Sequence, residues 1–113
     1  MKYLTLRTFE EEVIKSDLPT VVIFKNQNCY LCKGLGGVAS RLRMLYHNRI
    51  KFCYIETSIE TKLADTFKVD AVPTVFIFKN NDAYEIKYPE NPSPTSGYSE
   101  KYLVECLDEF LER

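Results

Sequence analysis

Two cysteines three residues apart, in Cys29-Tyr30-Leu31-Cys32-Lys33, are the side chains of this sequence best suited to chemistry. An apolar run, Thr20-Val21-Val22-Ile23-Phe24-Lys25, precedes them, and a long segment of helical periodicity follows. This context predicts a strand that ends beside the short loop Asn26-Gln27-Asn28, with a helix opening at Cys29. Residues three apart in a first helical turn are neighbours, so the two sulfurs can meet. The unpaired amides and the positive dipole end of the helix favour an anion there. A cysteine thiolate is such an anion, and helix N-termini lower thiol pKa values below the free value of about 8.5. Lys25 and Lys33 flank the pair and are expected to act in the same direction electrostatically. The pair therefore reads as a dithiol–disulfide couple.

Zinc is the competing use of a Cys-x-x-Cys, and it requires two further ligands. Only His47 and the lone Cys53 and Cys106 remain, with no second Cys-x-x-Cys and no paired histidine. His47 reads better as a surface residue compensating a helix C-terminus. Cys53 and Cys106 read as small buried hydrophobes, with regulatory oxidation of Cys106 as a second reading. No metal and no organic cofactor is expected.

The elements that must hold the pair follow from periodicity. Tyr3-Leu4-Thr5-Leu6 predicts a short first strand. Thr8, with Glu11 three residues on, predicts a capping box opening a helix striped by Phe9, Val13 and Ile14 and ended by Asp17-Leu18-Pro19. Val21 to Phe24 is apolar on both faces, as a covered central strand should be. The helix after the cysteines should run to about His47, with Leu35, Val38, Leu42 and Leu45 inward. Its opening holds Gly34, Gly36 and Gly37, three of the four glycines. Two readings of them stand side by side: close packing of the helix on the sheet, or a softened turn that leaves the dithiol looser and more exposed.

Phe52-Cys53-Tyr54-Ile55 predicts the next strand. Thr57 and Glu60 predict a second capping box, opening a short helix with Leu63, Ala64 and Phe67 inward. Thr74 to Phe78 is strongly β, Asn80-Asn81-Asp82 carries hairpin residues, and Ala83 to Tyr88 alternates as a half-buried antiparallel strand. The proline-rich stretch 89–97 predicts a surface loop. Ser99 then caps a last helix with Leu103, Leu107, Phe110 and Leu111 toward the core. Strand–helix alternation followed by a hairpin argues for an α/β fold with βαβ units, in one domain over residues 1–113.

Bulk properties narrow the function. A net charge of −1 gives no electrostatic case for nucleic acid or an anionic membrane surface. The eight tyrosines are scattered, so no stacking platform for single strands emerges. No apolar run approaches the ~20 residues of a membrane helix, and Met1 to Arg7 lacks a signal-peptide core. A reducing cytoplasm is the expected location.

The order βαβαββα, with Cys-x-x-Cys opening the second helix and Ala71-Val72-Pro73-Thr74 leading into the fourth strand, resembles the thioredoxin family from about Tyr3 to Leu111. The resemblance implies a mixed sheet ordered β1-β3-β2-β4-β5 with helices on both faces. It implies that Cys29 is the exposed nucleophile and Cys32 the buried resolving thiol. Pro73 takes the place of a cis-proline facing the disulfide, Val72 that of the residue whose backbone meets an extended substrate, and Gly97 that of a glycine beside the groove. Tyr30 and Leu31 form the rim, either as substrate contacts or as an exposed ring beside a packed leucine. The implied activity is thiol–disulfide exchange on protein disulfides, recycled by a thioredoxin-reductase-type or other electron donor, by a monomer or weak dimer.

Departures from the family pattern are specific. Asn28 stands where thioredoxins carry tryptophan, and Tyr30-Leu31 where they carry Gly-Pro. The buried aspartate that assists the second thiol falls on Ile23, its lysine partner on Phe52, and the helix-kinking proline on Gly37. Losing the internal base predicts slow resolution unless water reaches Cys32 through the glycine-rich turn. It also leaves room for an alternative function, a thioredoxin-fold binding module with little turnover.

Overall fold

A computed structural model describes all of residues 1–113. One five-stranded sheet runs through it in the order β1-β3-β2-β4-β5, with β1 at Lys2–Tyr3, β2 at Thr20–Lys25, β3 at Lys51–Glu56, β4 at Thr74–Lys79 and β5 at Asp82–Ile86. β1, β2 and β3 are parallel; β4 is antiparallel to β2 and to β5. The helices are α1 (Tyr30–Leu45), α2 (Thr61–Thr66) and α3 (Glu100–Leu111). This is the mixed α/β sheet order expected from the family resemblance.

Both faces of β2 are covered, which explains its unbroken apolar run. Val21 and Ile23 join Leu35, Leu42, Leu103 and Leu107 beneath α1 and α3. Val22 and Phe24 face the other way, into a cluster with Phe9, Val13, Leu63 and Phe76. Each such fully buried side chain stabilises the fold by roughly 1.5–3 kcal/mol relative to exposure. β2 is thereby a rigid rod, and its carboxyl end delivers the loop that carries the cysteines. The hairpin between β4 and β5 closes through Asn80 (φ 53°) and Asn81 (φ 70°), left-handed residues of the kind two-residue hairpin loops require.

Several local expectations give way to long-range partners. β1 is shorter than Tyr3–Leu6, although the Leu4 N–H still donates to the Tyr54 carbonyl at 2.7 Å. The chain leaves the sheet at Thr5, so the reciprocal cap forms there and not at Thr8 with Glu11. The Thr8 N–H donates to Thr5 Oγ1 at 3.2 Å, and the Thr5 N–H to Thr8 Oγ1 at 3.0 Å. The segment then widens into a π-helical turn, Glu10–Ile14, closed by Lys15 N–H to the Glu10 carbonyl. Phe9 and Val13 still reach the core.

The Thr57–Glu60 box is also absent. Thr57 spends its N–H and its hydroxyl on the Lys25 carbonyl at the end of β2. Glu60 accepts from the Leu6 N–H at 3.0 Å, and α2 begins after it. Ser99, by contrast, caps α3 as expected, accepting from the Tyr102 N–H. On α1, Leu45 is 54% exposed and Tyr46 is fully buried, reversing the predicted stripe at its last turn. The helix ends at Leu45, and the Tyr46 hydroxyl donates to Asp108 on α3 at 2.7 Å. Tyr46→Phe is expected to lower stability by about 1 kcal/mol, the usual worth of one such hydrogen bond, in a urea titration.

β5 is an edge strand in which Ile86 alone is buried; Tyr84 packs edge-on against Phe110, and Tyr88 against Tyr98. The 89–97 loop is not wholly at the surface. Ser96 and Gly97 are buried, and Tyr98 after them is a core residue, 1% exposed. The Tyr98 hydroxyl accepts from the Val75 N–H and donates to the Ile86 carbonyl, which satisfies it inside the core.

Candidate active site

Asn26 sets the geometry of the loop between β2 and α1. Its side-chain carbonyl accepts the Asn28 N–H at 3.0 Å and its backbone carbonyl accepts the Cys29 N–H at 3.2 Å, an Asx-type turn. Cys29 is extended (φ −104°, ψ 114°) and occupies the N-cap of α1. Its sulfur accepts the Cys32 N–H at 3.1 Å, and its carbonyl takes the Lys33 N–H as an early helical bond. The sulfur thus does what a serine or aspartate oxygen does at an ordinary cap. A cap sulfur held by a backbone amide at the positive end of a 16-residue helix is stabilised as an anion.

Cys29 and Cys32 are joined as a disulfide, with their Cα atoms 5.2 Å apart, inside the range that native bridges span. Cys29 is half-buried and Cys32 only 4% exposed, so one sulfur faces solvent and the other the interior. Tyr30 is exposed at 71%, Leu31 is half-buried, and Lys33 is exposed. No three His, Cys, Asp or Glu side chains lie together in a way that could hold a metal ion.

Lys25 lies elsewhere than its sequence position suggests. Its Nζ is 2.9 Å from the Tyr3 hydroxyl and stands over the rings of Tyr3 and Tyr54, at 5.3 and 5.5 Å from their centroids. The hydrogen bond with Tyr3 holds its pKa above the usual lysine value. Its charge is committed to that tyrosine pair.

The family resemblance makes the loop before β4 a second arc of the site. The Val72–Pro73 peptide is cis, Pro73 is buried, and Val72 is half-buried. The Thr74 hydroxyl donates to the Ala71 carbonyl at 2.6 Å and closes this loop. The third arc is the 93–97 loop, where Ser93 and Gly97 exchange both backbone hydrogen bonds. Gly97 has φ +71°, and a Cβ there would meet the Tyr88 hydroxyl at 2.9 Å, so glycine suits the position twice over.

The three glycines of α1 are now separable. A Cβ on Gly34 would overlap the backbone carbonyl of Thr95, so the first turns of α1 lie directly against the third arc. Gly36 and Gly37 face no such obstacle, and α1 runs through both without a break. Gly34 is a close-packing glycine, but its partner is the 93–97 loop and not the expected sheet. Gly34 and Asn26 are the residues that spacing alone undervalued; the Asn-x-Asn loop was the visible signal for the second.

The departures also acquire places. Ile23 is buried at 2% in the core below α1. Its neighbour on β3 is Tyr54, whereas Phe52 sits opposite Val21, which corrects the placement of the family's lysine partner at Phe52. Ile23 offers the interior a hydrocarbon side chain where the family's aspartate would stand; the buried carboxylate of this sheet region is Glu56, opposite Lys25. Burial pushes the Tyr54 hydroxyl above its ordinary pKa, so it is not a replacement base.

The other thiols differ from the pair. Burial pushes the Cys53 thiol up, and does the same for the half-buried Cys106. When the reduced native protein is treated with iodoacetamide, Cys29 is expected to be alkylated first and Cys106 more slowly. Cys53 should react only after unfolding. Mass spectrometry of timed samples reads this order, and early labelling of Cys53 would contradict the burial argument.

A strand, an amide-capped cysteine pair opening a helix, a cis-proline before the fourth strand and a glycine turn before the last helix agree with what comparison with known proteins finds. The thioredoxin family model matches residues 1–97. Mitochondrial thioredoxin of Mus musculus is 34% identical over 77 residues, covering 68% of this chain and 46% of that protein. Thioredoxin 1 of the Nostoc strain PCC 7120 is 28% identical over 101 residues, covering 88% of this chain and 94% of its own. Probable thioredoxin-2 of Caenorhabditis elegans is 32% identical over 111 residues, 96% of this chain and 67% of that protein. The matched stretch spans about half the length of the mammalian mitochondrial relatives. No helix here is long and apolar enough to cross a membrane. With most of the chain matched and the cysteine pair at the helix entrance, this protein belongs to the thioredoxin family.

Proposed function

We propose that the chain is a thiol–disulfide oxidoreductase that reduces disulfides in proteins. The observation that carries this reading is the Cys29 sulfur, half-exposed and held by the Cys32 amide at the head of α1, directly bonded to a buried second sulfur. In the reduced form the Cys29 thiolate attacks one sulfur of a substrate disulfide. A Cys29–substrate bond forms, and the other substrate sulfur leaves as thiolate and takes up a proton. Cys32, losing its proton, then attacks Cys29; the intramolecular bond forms and the second substrate thiol is released. Two electrons move from the sulfur pair to the substrate, so no organic cofactor is needed. A thioredoxin-reductase-type donor or a dithiol must restore the pair.

Tyr30, Leu31, Val72, Pro73 and Gly97 are proposed to surround the incoming substrate, and Lys33 to favour the thiolate. Cys53 and Cys106, both unpaired, suit a reducing compartment such as the cytoplasm. A reduction of insulin disulfides by dithiothreitol that is faster with this protein than without it is the expected result. Equal rates would overturn the proposal and favour a thioredoxin-fold binding module, the reading that the missing internal base supports. The reduction potential against glutathione then fixes the direction of exchange, since ~30 mV corresponds to about 1.4 kcal/mol in this couple.

A further inference from the structure

The site has a neighbouring cavity whose chemistry is not explained by the sulfur pair. It measures about 220 Å³ and is lined by Asn26, Thr57, Val69, Asp70, Ala71 and Val72. It lies where β2 and β3 end, the edge at which open α/β sheets collect ligands. One wall is Asn26, whose carbonyl holds the Cys29 N–H, so that wall is within one turn of the half-exposed sulfur. The other wall runs through Val72 to the buried Pro73. The short loop from Asn26 to Cys29 joins this cavity to the sulfur, which puts it within reach of side chains that flank a substrate cysteine.

The cavity's one charged group is an acceptor, and beside it stand a hydroxyl and an amide whose N–H groups are donors. Asp70 is exposed and has no ion-pair partner within 4 Å, nor any hydrogen bond from the protein. Thr57 donates its hydroxyl proton to the Lys25 carbonyl, so only its lone pairs face outward. Asn26 uses its side-chain oxygen on the Asn28 N–H. Val69 and Val72 supply apolar wall, both half-buried. An open pocket with Val69, Ala71 and Val72 beside an unpaired carboxylate and a hydroxyl oxygen suits a side chain with an aliphatic stem and a cationic head. It does not suit a carboxylate, which would meet Asp70 without a screening cation. Neither Lys25, which bonds the Tyr3 hydroxyl, nor Lys68, two residues before Asp70, forms an ion pair with it.

We infer that Asp70 makes this cavity a specificity pocket for lysine or arginine beside the disulfide of the substrate, so that basic protein segments are preferred. The inference rests on the oxidoreductase reading. Because the carboxylate is exposed, the preference is modest: about two- to fivefold, the range that exposed ion pairs span. It should fade as salt is raised, since screening shortens the reach of an exposed charge to about 3 Å at 1 M.

The test uses the full chain and three synthetic peptides, each with one intramolecular disulfide, differing only in lysine, glutamine or glutamate next to a cysteine. The kcat/KM of each is measured with dithiothreitol as donor. The expected order is lysine, then glutamine, then glutamate. In Asp70→Asn the lysine-to-glutamate ratio should fall toward one, and in Asp70→Lys it should invert. A ratio near one in wild type, or one that survives Asp70→Asn at low salt, overturns the pocket while leaving the activity standing. Failure of wild type to reduce any of the three overturns the oxidoreductase reading itself, and the pocket's role with it. Thermal melts of both variants verify that ratios are compared between folded proteins.

Discussion

Cys29→Ser is expected to bring insulin reduction down to the rate of dithiothreitol alone, a loss on the order of 10³-fold or more for removal of a nucleophile. Cys32→Ser should behave differently. It retains the attacking sulfur and the helix-capping geometry, so it should capture one equivalent of substrate as a mixed disulfide. Non-reducing electrophoresis separates the two outcomes: a shifted band for Cys32→Ser, none for Cys29→Ser. The reverse pattern would exchange the roles of the two sulfurs. The burial difference is the reason for the assignment, since Cys32 is 4% exposed and an incoming protein cannot reach it.

The same trap measures the cost of the missing base. Cys32 must ionise before it can attack, and the position of the family's aspartate is held by Ile23, paired with Tyr54 in the sheet. The route by which water could serve instead is narrowed, because Thr95 and Ser96 press on Gly34 two residues further along the helix. Release of product from the wild-type mixed disulfide is therefore expected to be slow at neutral pH. It should accelerate as pH rises, following the ionised fraction of the resolving thiol. Fast release that is independent of pH between about 6 and 9 would mean that an internal base operates after all.

Gly34→Ala is the second large effect. The added methyl would overlap the Thr95 backbone carbonyl, and a backbone atom cannot rotate away as a side chain can. Overpacking of this kind costs typically 1–3 kcal/mol and sometimes more. A loss of about 3 kcal/mol, or a fall of roughly 10 °C in Tm, is expected from calorimetry. Helix propensity alone predicts the opposite sign, since alanine is favoured over glycine by up to about 1 kcal/mol in a helix. Gly37→Ala supplies the control, because a Cβ there meets nothing nearer than the Arg41 guanidinium at 3.9 Å. It should be neutral or stabilising by up to about 1 kcal/mol. If both variants gained stability, α1 would not be seated on the 93–97 loop. Faster alkylation of Cys32 in Gly34→Ala would show that this contact also shields the resolving thiol.

Short-range signals in the sequence carried the reaction end of the molecule. The apolar run of β2, the Cys-x-x-Cys after it and the periodicity of α1 each act within a few residues, and a pattern of that range survives folding unchanged. Ser99 capped its helix as read because no distant group competes for it. The same rule failed at Thr8 and at Thr57. There the partners came from across the chain: Tyr54 extends the ladder through Leu4 and shifts the cap to Thr5, while the Lys25 carbonyl takes both donors of Thr57. A local motif records only which bonds a residue is able to make, and folding selects among them by what else becomes buried nearby.

Tertiary structure decided the rest for that reason. The register that sets Tyr54 and not Phe52 beside Ile23, the capture of Lys25 by Tyr3, and the burial of Tyr98 inside a proline-rich segment all depend on contacts between residues far apart in sequence. The three glycines of α1 are alike as letters in the sequence, yet only Gly34 meets a backbone carbonyl from a segment some sixty residues later. By itself the sequence determined that two sulfurs open a helix at the end of a buried strand, because hydrophobic spacing and backbone geometry are local. Which side chains tune those sulfurs was decided only when distant strands and loops closed around them, since burial and charge pairing are properties of the folded neighbourhood.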